Sequence, residues 1–364
     1  MDTPDSSPMA PPGSAGARSR PRIALAIGDA AGISPELAAK VLSDPVVLDA
    51  ADITVIGDAR VLSDGARVAG VELAIETVTE DATVPSGGSR LVLVDLRNCD
   101  PADVAVGQMS EASGRFATEN FRRALRMGAT GEVDAVCFTP FNKAAMRLIT
   151  PGYEDEIGFT AETIGFDGVA KEFNILEGLW NARVTSHVPL SEVSSLLTAE
   201  AIVDNLRLTD EALRAAGIES PRIAVAALNP HAGDQGNFGR EEIDVIAPAV
   251  ETARAQGIGC EGPYPADTVF VRAKRGDFDA VLTMYHDQGQ IAMKLIGFDA
   301  GVTLMGGFPF PICTAAHGTA YDIAGKGIAH PGAMRNAMLL AARMAERSAA
   351  RRLRPGDGGA VAAR

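Results

Sequence analysis

Short apolar runs alternate with segments of helical spacing along most of this chain, and this alternation constrains the fold more than any other feature. The runs at 23–27, 53–56, 91–94, 135–138, 223–227 and 280–284 are rich in β-branched residues and bounded by Gly, Asp or Pro, which is typical of buried strands. Helical spacing is present at 37–42, 113–127, 199–216 and 241–256. Strands that alternate with helices pair in parallel and are covered on both faces, so we predict an α/β fold.

The length of 364 residues predicts about two domains. Residues 1–20 are rich in Pro, Ser, Ala and Gly and lack the apolar core of a signal peptide, so we expect a disordered leader there. Residues 349–364 are rich in Arg, Gly and Ala, and we expect them to form a flexible tail. The folded region is therefore predicted to span residues 21–348.

Charge and cysteine usage limit the partners and the compartment. A net charge of −14 repels nucleic-acid phosphates and anionic lipids, so we expect neither nucleic-acid nor membrane binding. The chain contains no run of 18 apolar residues that could form a spanning helix. None of the four cysteines forms a Cys-x-x-Cys pair, and such free thiols indicate a reducing compartment. We therefore expect a cytoplasmic protein with a small-molecule substrate.

Three of the five histidines follow strand-like runs. His187 follows a possible strand at Val184, and His231 and His286 follow the runs at 223–227 and 280–284. Ligands of parallel α/β sheets bind beyond the carboxyl ends of the strands, so three imidazoles could meet there on one divalent metal. Neutral imidazole suits Zn, Fe, Ni or Co. The alternative is three unrelated, hydrogen-bonded histidines.

Two Gly-rich segments and two lysines are further candidates. The turn at 28–36 (GDAAGISPE) departs from the G-x-G-x-x-G pattern and is, by itself, a turn that opens a helix. In the loop at 317–327, Asp322 could accept hydrogen bonds from a ribose diol and repel a 2′-phosphate, or it could simply be solvated. Lys143 and Lys294 could bind a carboxylate or relay a proton, although most lysines are only solvated surface charges.

Over residues 22–341 the chain resembles the 4-hydroxythreonine-4-phosphate dehydrogenase (PdxA) family. The matching stretches include "IALAIGDAAGISPE", "TPFNKAAM", "VTSHVPLSEV", "ALNPHAGDQGNFGREE", "GPYPADTVF", "YHDQGQIAMKLIGF" and "AHGTAYDIAGKGIA". The resemblance implies two intertwined α/β/α domains with a cleft, as in isocitrate and isopropylmalate dehydrogenases. It also implies a homodimer whose active sites use residues from both subunits.

The resemblance assigns roles to individual residues. A divalent metal (Zn, Mg, Mn or Co) would bind His187, His231 and His286, with one histidine supplied by the partner subunit. The late loop resembles the adenosine-binding loop of isopropylmalate dehydrogenases, which implies that Asp322 favours NAD over NADP. Asp267 matches a family acid near the site, and Lys294 matches a substrate-binding lysine. The residues expected to contact NAD are His317, Gly318, Ala320, Asp322 and Ile323.

The substrate-binding positions depart from the family pattern. Glu156 and Ile157 replace a His-Thr pair, Thr303 replaces an Asn, and Ile312 replaces a phosphate-binding Arg. A buried Arg–phosphate contact contributes about 1.5–3 kcal/mol. Its loss, together with the added acid at 156, predicts a substrate without this phosphate.

We therefore expect an NAD- and divalent-metal-dependent dehydrogenase that oxidises a secondary alcohol of a small carboxylated diol or hydroxy acid. One example is the cis-dihydrodiol of an aromatic dicarboxylate such as terephthalate. A ketone formed β to a carboxylate can then lose CO₂. The alternatives are a 4-hydroxythreonine-4-phosphate dehydrogenase of pyridoxal phosphate biosynthesis or a four-carbon sugar-acid phosphate dehydrogenase. Alternatives from other classes are a non-catalytic metal- or nucleotide-binding protein and a phosphate acyltransferase-like protein.

Overall fold

The computed structural model describes residues 20–80 and 91–352, so most of the expected leader and part of the expected tail lie outside the described residues. The described strands belong to one mixed sheet, which confirms the α/β class. The strands are β1 (Arg22–Ala26), β2 (Asp52–Gly57), β3 (Glu76–Thr79), β4 (Leu91–Asp95), β5 (Ala135–Phe138), β6 (Lys171–Leu176), β7 (Leu179–Arg183), β8 (Ile223–Ala226), β9 (Cys260–Tyr264), β10 (Ala280–Thr283), β11 (Val302–Gly306) and β12 (Ile312–Ala315).

Helices cover the sheet, and polar side chains begin many of them. The carboxylates of Asp58 and Asp155 and the hydroxyl of Thr198 each accept a hydrogen bond from a backbone N–H in the first turn of the helix that follows. The helices are α1 (Ser34–Leu42), α2 (Pro45–Ala50), α3 (Ala59–Ala69), α4 (Glu111–Thr130), α5 (Lys143–Ile149), α6 (Glu156–Ile164), α7 (Val193–Leu196), α8 (Ala199–Ala215), α9 (Ala247–Ala255), α10 (Ala266–Lys274), α11 (His286–Gly297) and α12 (Gly332–Arg352). Among the described residues, none of these helices combines the length and the apolar character that a bilayer crossing requires.

The sheet consists of two parallel halves that run in opposite directions. The strand order is β3-β4-β2-β1-β5-β12-β11-β6-β7-β10-β8-β9. The first six strands are parallel, and so are the last four. Between them β11 and β6 pair antiparallel with each other and with their outer neighbours. The prediction of an entirely parallel sheet is therefore wrong at β11 and β6, which form an antiparallel seam between the two halves. The reason is local: only Glu177 and Gly178 connect β6 to β7, and a two-residue connection joins antiparallel strands.

The core lies on both faces of this sheet and includes the last helix. Strands β1, β2, β4, β5, β8 and β10 match the predicted apolar runs to within about a residue at each end. Helix α12 buries Met334, Ala337, Met338 and Ala341 against β12, β5, β11 and β1, and it also contacts α2 and α8. It continues through residues 349–352, which the sequence analysis assigned to the tail. The division of the folded region into two subdomains stays a prediction, because the sheet is continuous.

Candidate active site

A cavity of about 260 Å³ lies across the seam of the sheet and contains several of the predicted site residues. It is reached from the ends of β5 and β12 in one half and from the ends of β7 and β10 in the other. Its lining residues are Phe138, Pro140, Phe141, Lys143, Asp155, Glu156, Ile157, Glu172, His187, His286, Thr303, Met305, Thr314, Ala315, Ala316, His317 and Gly318.

His187 and His286 meet in this cavity because they follow the neighbouring strands β7 and β10. Their ring centroids are 5.6 Å apart with an interplanar angle of 40°. Two imidazoles that bind one tetrahedral cation through nitrogens at about 2.0–2.1 Å place their centroids at roughly this separation. Nδ1 of His286 is 2.7 Å from Oδ1 of Asp287, which leaves Nε2 as the nitrogen for a metal. The pair therefore fits two ligands of a divalent cation.

His231 does not join this pair within one chain. It is exposed, and its ring packs near Phe238 at a centroid distance of 6.2 Å. No set of three metal-ligating side chains is present among the residues that the structure describes. A single copy of the chain therefore brings together only two of the three expected histidine ligands.

The backbone around His231 explains where its ring points. Residues 231–235 all have positive φ, from 45° at Asp234 to 78° at Gly233. Each non-glycine residue in this region costs on the order of 1 kcal/mol, so the run needs external support. The carbonyls of Gly233 and Asp234 accept backbone hydrogen bonds from Phe238 and Asn237. The buried carboxylate of Glu242 anchors the segment that enters the run by accepting from the N–H groups of Leu228 and Asn229 at 2.9 and 2.7 Å. The supported turn presents His231 to the outside of the chain.

Asp267 and Lys294 also lie away from the cavity. Asp267 is exposed in the first turn of α10, a helix that contacts the turn of His231. Lys294 is exposed on α11, two turns beyond His286. Neither residue lines the cavity of one chain, whereas Lys143 does.

Lys143 and Glu156 begin two helices at the cavity and form an ion pair there. Nζ of Lys143 is 3.0 Å from Oε2 of Glu156, and the side chains are 42% and 20% exposed. Lys143 follows the cap residue Asn142, and Glu156 follows the cap residue Asp155. The predicted substitution of Glu156 and Ile157 for a His-Thr pair therefore falls in the cavity wall.

Thr303 and Ile312 occupy different environments. Thr303 lines the cavity, and its hydroxyl is 3.4 Å from Nδ2 of Asn174. Ile312 pairs with Met305 in the sheet and is fully buried in the core beside Phe138 and Phe141. Ile312 is thus covered by the core and does not face the cavity, so this position supplies neither the Arg–phosphate contact of the family nor an apolar surface against a ligand.

The loop that begins at His317 joins the cavity to α1. His317 and Gly318 line the cavity, Ala320 has a φ of 42°, and Asp322 is exposed. The apolar side chain of Ile323 packs against the cluster that contains Ile33. The loop therefore keeps its polar side outward, with Asp322 accessible to a ligand.

The turn at 28–36 holds this loop and the segment before Lys143 together. Nδ2 of Asn142 donates to the hydroxyl of Tyr321 at 2.9 Å, and that hydroxyl donates to Oδ2 of Asp29. Burial raises the pKa of Asp29. Hydrogen bonds from the side chains of Tyr321 and Ser113 and from the backbone N–H of Ala31 lower this pKa, but by less than burial raises it. Burial and the neighbouring carboxylate of Asp29 also raise the pKa of Tyr321. The Gly-rich pattern of 28–36 predicts a turn, but it gives no sign of these hydrogen-bond partners.

A second polar network was missed altogether. The buried guanidinium of Arg183, at the end of β7, donates to Glu172, Asn174 and Ser186 beside the cavity. The sequence signal is weak: an Arg ends the short run LWNAR, four residues before His187. Burial and the charge of Arg183 lower the pKa of the neighbouring Lys171.

Comparison with known proteins places this geometry in a family. The family model described as "Pyridoxal phosphate biosynthetic protein PdxA" matches residues 49–341. A Rhizobium meliloti protein with the provisional name 4-hydroxythreonine-4-phosphate dehydrogenase 2 is 62% identical over 331 residues, which cover 91% of this chain and 95% of that protein.

Two solved structures extend the comparison. The 4-hydroxythreonine-4-phosphate dehydrogenase from Klebsiella pneumoniae is 35% identical with a TM-score of 0.77, covering 90% of this chain and 98% of that one. A terephthalate 1,2-cis-dihydrodiol dehydrogenase from Burkholderia xenovorans is 30% identical with a TM-score of 0.61, covering 89% and 98%. The two-histidine cavity, the matched residues and these likenesses lead to one conclusion: this chain belongs to the PdxA family of dehydrogenases, oxidoreductases that act on an alcohol group.

Proposed function

We propose that this protein is an NAD-dependent and divalent-metal-dependent dehydrogenase that oxidises a secondary alcohol of a four-carbon hydroxy-acid phosphate. One observation carries the proposal: the imidazoles of His187 and His286 open into the same cavity as Lys143 and the loop that begins at His317. Metal ligands, a cationic side chain and a candidate cofactor loop thus surround one space of substrate size.

His187 and His286 would hold the cation, and the third ligand would be His231 of a second copy. The outward turn at His231 and the exposed acid at Asp267 on the adjoining helix α10 support this assignment. A cation bound there would polarise the substrate hydroxyl and favour its ionised form. A homodimer with shared sites is therefore part of the proposal.

Asp322 would bind the ribose of NAD, since its exposed carboxylate can accept hydrogen bonds from a diol and repels a 2′-phosphate. The overall reaction converts the secondary alcohol and NAD⁺ into a ketone, NADH and a proton. Lys143 is the side chain within the cavity that can hold the substrate's carboxylate or carry that proton. Lys294 could do so only if it reaches the cavity of a second copy.

The names of relatives support a phosphorylated substrate. The 62% identical relative carries the name of a 4-hydroxythreonine-4-phosphate dehydrogenase. Relatives about 36% identical carry the provisional name D-threonate 4-phosphate dehydrogenase. Both substrates are four-carbon chains with a phosphate at one end. Because Ile312 is covered, nothing at that position opposes the phosphate directly.

A second candidate substrate is an unphosphorylated carboxylated diol. The carboxylates of Glu156 and Glu172 line the cavity, and unpaired carboxylates would repel a phosphate dianion. Each carboxylate is paired, however, with Lys143 or Arg183, which reduces this repulsion. We therefore place this candidate second.

The four cysteines are free and buried, which supports the cytoplasm as the compartment.

Complementation between two inactive variants tests the shared metal site. His187→Ala and His231→Ala, purified separately, should each lack activity. After denaturation and refolding together, a mixed dimer has one site with all three histidines, so random mixing should restore about a quarter of the wild-type activity. No recovery on mixing, with refolded wild type active, would overturn the shared site.

A substrate panel tests the chemistry. NADH formation would be followed with Mn²⁺ and three substrates: 4-hydroxythreonine 4-phosphate, D-threonate 4-phosphate and the cis-dihydrodiol of terephthalate. We expect a phosphorylated substrate to give the highest kcat/KM. Faster turnover of the dihydrodiol would favour the second candidate, and no NADH from any alcohol would favour a non-catalytic binding protein.

A further inference from the structure

The guanidinium of Arg183 is the centre of a buried network beside the two cavity histidines. Its side chain is only 4% exposed. Nη1 donates to Oδ1 of Asn174 at 2.6 Å, Nη2 donates to Oε2 of Glu172 at 2.7 Å, and Nε donates to Oγ of Ser186 at 3.0 Å. Burying a guanidinium is costly unless such partners are present, so the network is a built feature and not an incidental surface contact.

One arm of this network reaches the segment that carries His187. Ser186 directly precedes His187, and Arg183 is the last residue of β7, the strand from which this segment departs. The hydrogen bond from Nε to Ser186 closes a turn of four residues. The exposed ring of His187 is thereby attached to a buried, immobile group.

Another arm reaches the helix that carries His286. The side chain of Gln290 donates to the same Oδ1 of Asn174 that accepts from Arg183. Gln290 is buried and lies four residues after His286 in α11, so both side chains are on the same face of the helix. One hydrogen bond therefore connects Arg183 to Ser186, the residue before His187. Two hydrogen bonds, which meet at Asn174, connect Arg183 to Gln290 on the helix that begins at His286.

The third arm controls charge at the cavity. Glu172 is 30% exposed and lines the cavity, and its Oε2 is engaged by Arg183. A free carboxylate at this place would be a competing ligand for any cation held by the histidines. The ion pair removes that competition and leaves the network with no net charge.

From these contacts we infer that Arg183 is a positioning residue: it sets the separation of the His187 and His286 rings and keeps Glu172 away from the cation. This inference rests on the proposed function, because it presumes that the two imidazoles bind a metal. A group that hydrogen-bonds a metal ligand directly typically contributes a factor of about 10–100 to metal affinity. Arg183 acts through Ser186 and Gln290, so we expect its contribution to lie at the lower end of this range.

Cobalt binding to the purified full chain provides a readout that does not depend on activity. The dissociation constant for Co²⁺ and its visible absorption spectrum would be measured for wild type, Arg183→Met and the double variant Arg183→Met with Glu172→Gln. We expect Arg183→Met to weaken binding at least about ten-fold and to change the spectrum, which reports coordination geometry. The double variant loses the buried ion pair without leaving an unpaired charge, so it stays informative if Arg183→Met fails to fold.

Two controls separate this inference from the proposed function. Arg222→Met removes an exposed ion pair with Asp279 in the same half of the sheet and should leave Co²⁺ affinity unchanged. His187→Ala should abolish binding. If wild type binds no Co²⁺, the proposed metal site fails. The positioning role is tested only if wild type binds Co²⁺ and His187→Ala does not. In that case, unchanged Co²⁺ affinity and spectrum in both Arg183→Met and the double variant would overturn the positioning role and leave the metal site standing.

Discussion

The hydroxyl of Tyr321 donates a hydrogen bond to Oδ2 of Asp29, and this bond joins the loop that carries Asp322 to the turn at 28–36. A second bond, from Nδ2 of Asn142 to the same hydroxyl, adds the segment that carries Lys143. The candidate cofactor loop and the candidate substrate residue are therefore held in one arrangement through a single phenol oxygen.

Removal of this oxygen should weaken cofactor binding more than metal binding. In Tyr321→Phe the ring stays but the loop at 317–327 loses its bond to Asp29. We expect the dissociation constant of NAD to rise about three- to ten-fold, equivalent to one hydrogen bond of about 1 kcal/mol, with little change in metal affinity. Titration of NAD by protein fluorescence or calorimetry would measure it. Tyr264→Phe, which removes an exposed bond to Glu261, is the matched control, and equal effects in both variants would contradict the prediction.

The buried carboxyl of Asp29 should make stability depend on pH. Burial raises its pKa above the ordinary value of 3.8, so the folded state holds this proton at pH values where the unfolded state has lost it. The free energy of unfolding should therefore fall as pH rises from about 4 through the raised pKa, and then level off. Asp29→Asn should lack this decline. Urea unfolding of both proteins between about pH 4 and pH 8 would measure the difference. Asp299→Asn, an exposed site, serves as the control, and parallel curves for wild type and Asp29→Asn would refute the assignment.

The turn at Gly28 should not tolerate a side chain. A Cβ at this position would lie 2.2 Å from the carbonyl oxygen of Thr139 and 2.3 Å from that of Pro140. Since both obstacles are backbone atoms, Gly28→Ala should lower the free energy of unfolding by at least about 1–3 kcal/mol. Gly158 lies in helix α6, and the nearest atom to a Cβ there is Oδ1 of Asp155 at 3.5 Å. Gly158→Ala should therefore be neutral or slightly more stable than wild type. Thermal unfolding of the two variants would decide, and comparable stability would contradict the prediction.

Asp322 should determine the choice of cofactor. With Asp322→Ala we expect KM for NAD to rise about ten-fold, since a hydrogen bond to a charged group is lost, while KM for NADP falls or stays constant. The exposed Asp299 offers a control substitution of the same kind. Steady-state kinetics with both cofactors would measure the ratio. An unchanged NAD to NADP preference would remove Asp322 from the cofactor site.

Much of the sheet could be predicted from the sequence because its parallel strands are continuous apolar runs. β5 is predicted at its observed bounds, β8 differs from the prediction by one residue at its end, and β1 is shifted by one residue at both ends. The antiparallel seam was not predicted. β6 and β7 contain Lys171, Glu172 and Arg183 among apolar residues, so their sequences do not show the pattern of buried strands. Glu172 and Arg183 belong to the polar network beside the cavity.

The site was predictable to the extent that strand order dictates it. His187 and His286 meet because β7 and β10 are neighbours. His231 follows β8, on the far side of β10, and its left-handed turn directs the ring outward, which no residue pattern in the sequence indicates. Burial of Ile312 could not be predicted for a different reason. The alternation of residues along a strand indicates which face of the sheet a side chain lies on, but not whether other side chains cover it there.

Helix α12 has a consequence for synthesis of the protein. Its buried face completes the layer beneath β1 and β5, although β1 leaves the ribosome some 300 residues earlier, at roughly 5–20 residues per second. Helices α1 and α2 belong to the same core cluster and follow β1 closely in the sequence, but the part of this surface that α12 covers stays open until the end of synthesis. The nascent chain must therefore wait for its last helix before the core is closed, and during the delay it exposes the kind of apolar surface that promotes aggregation.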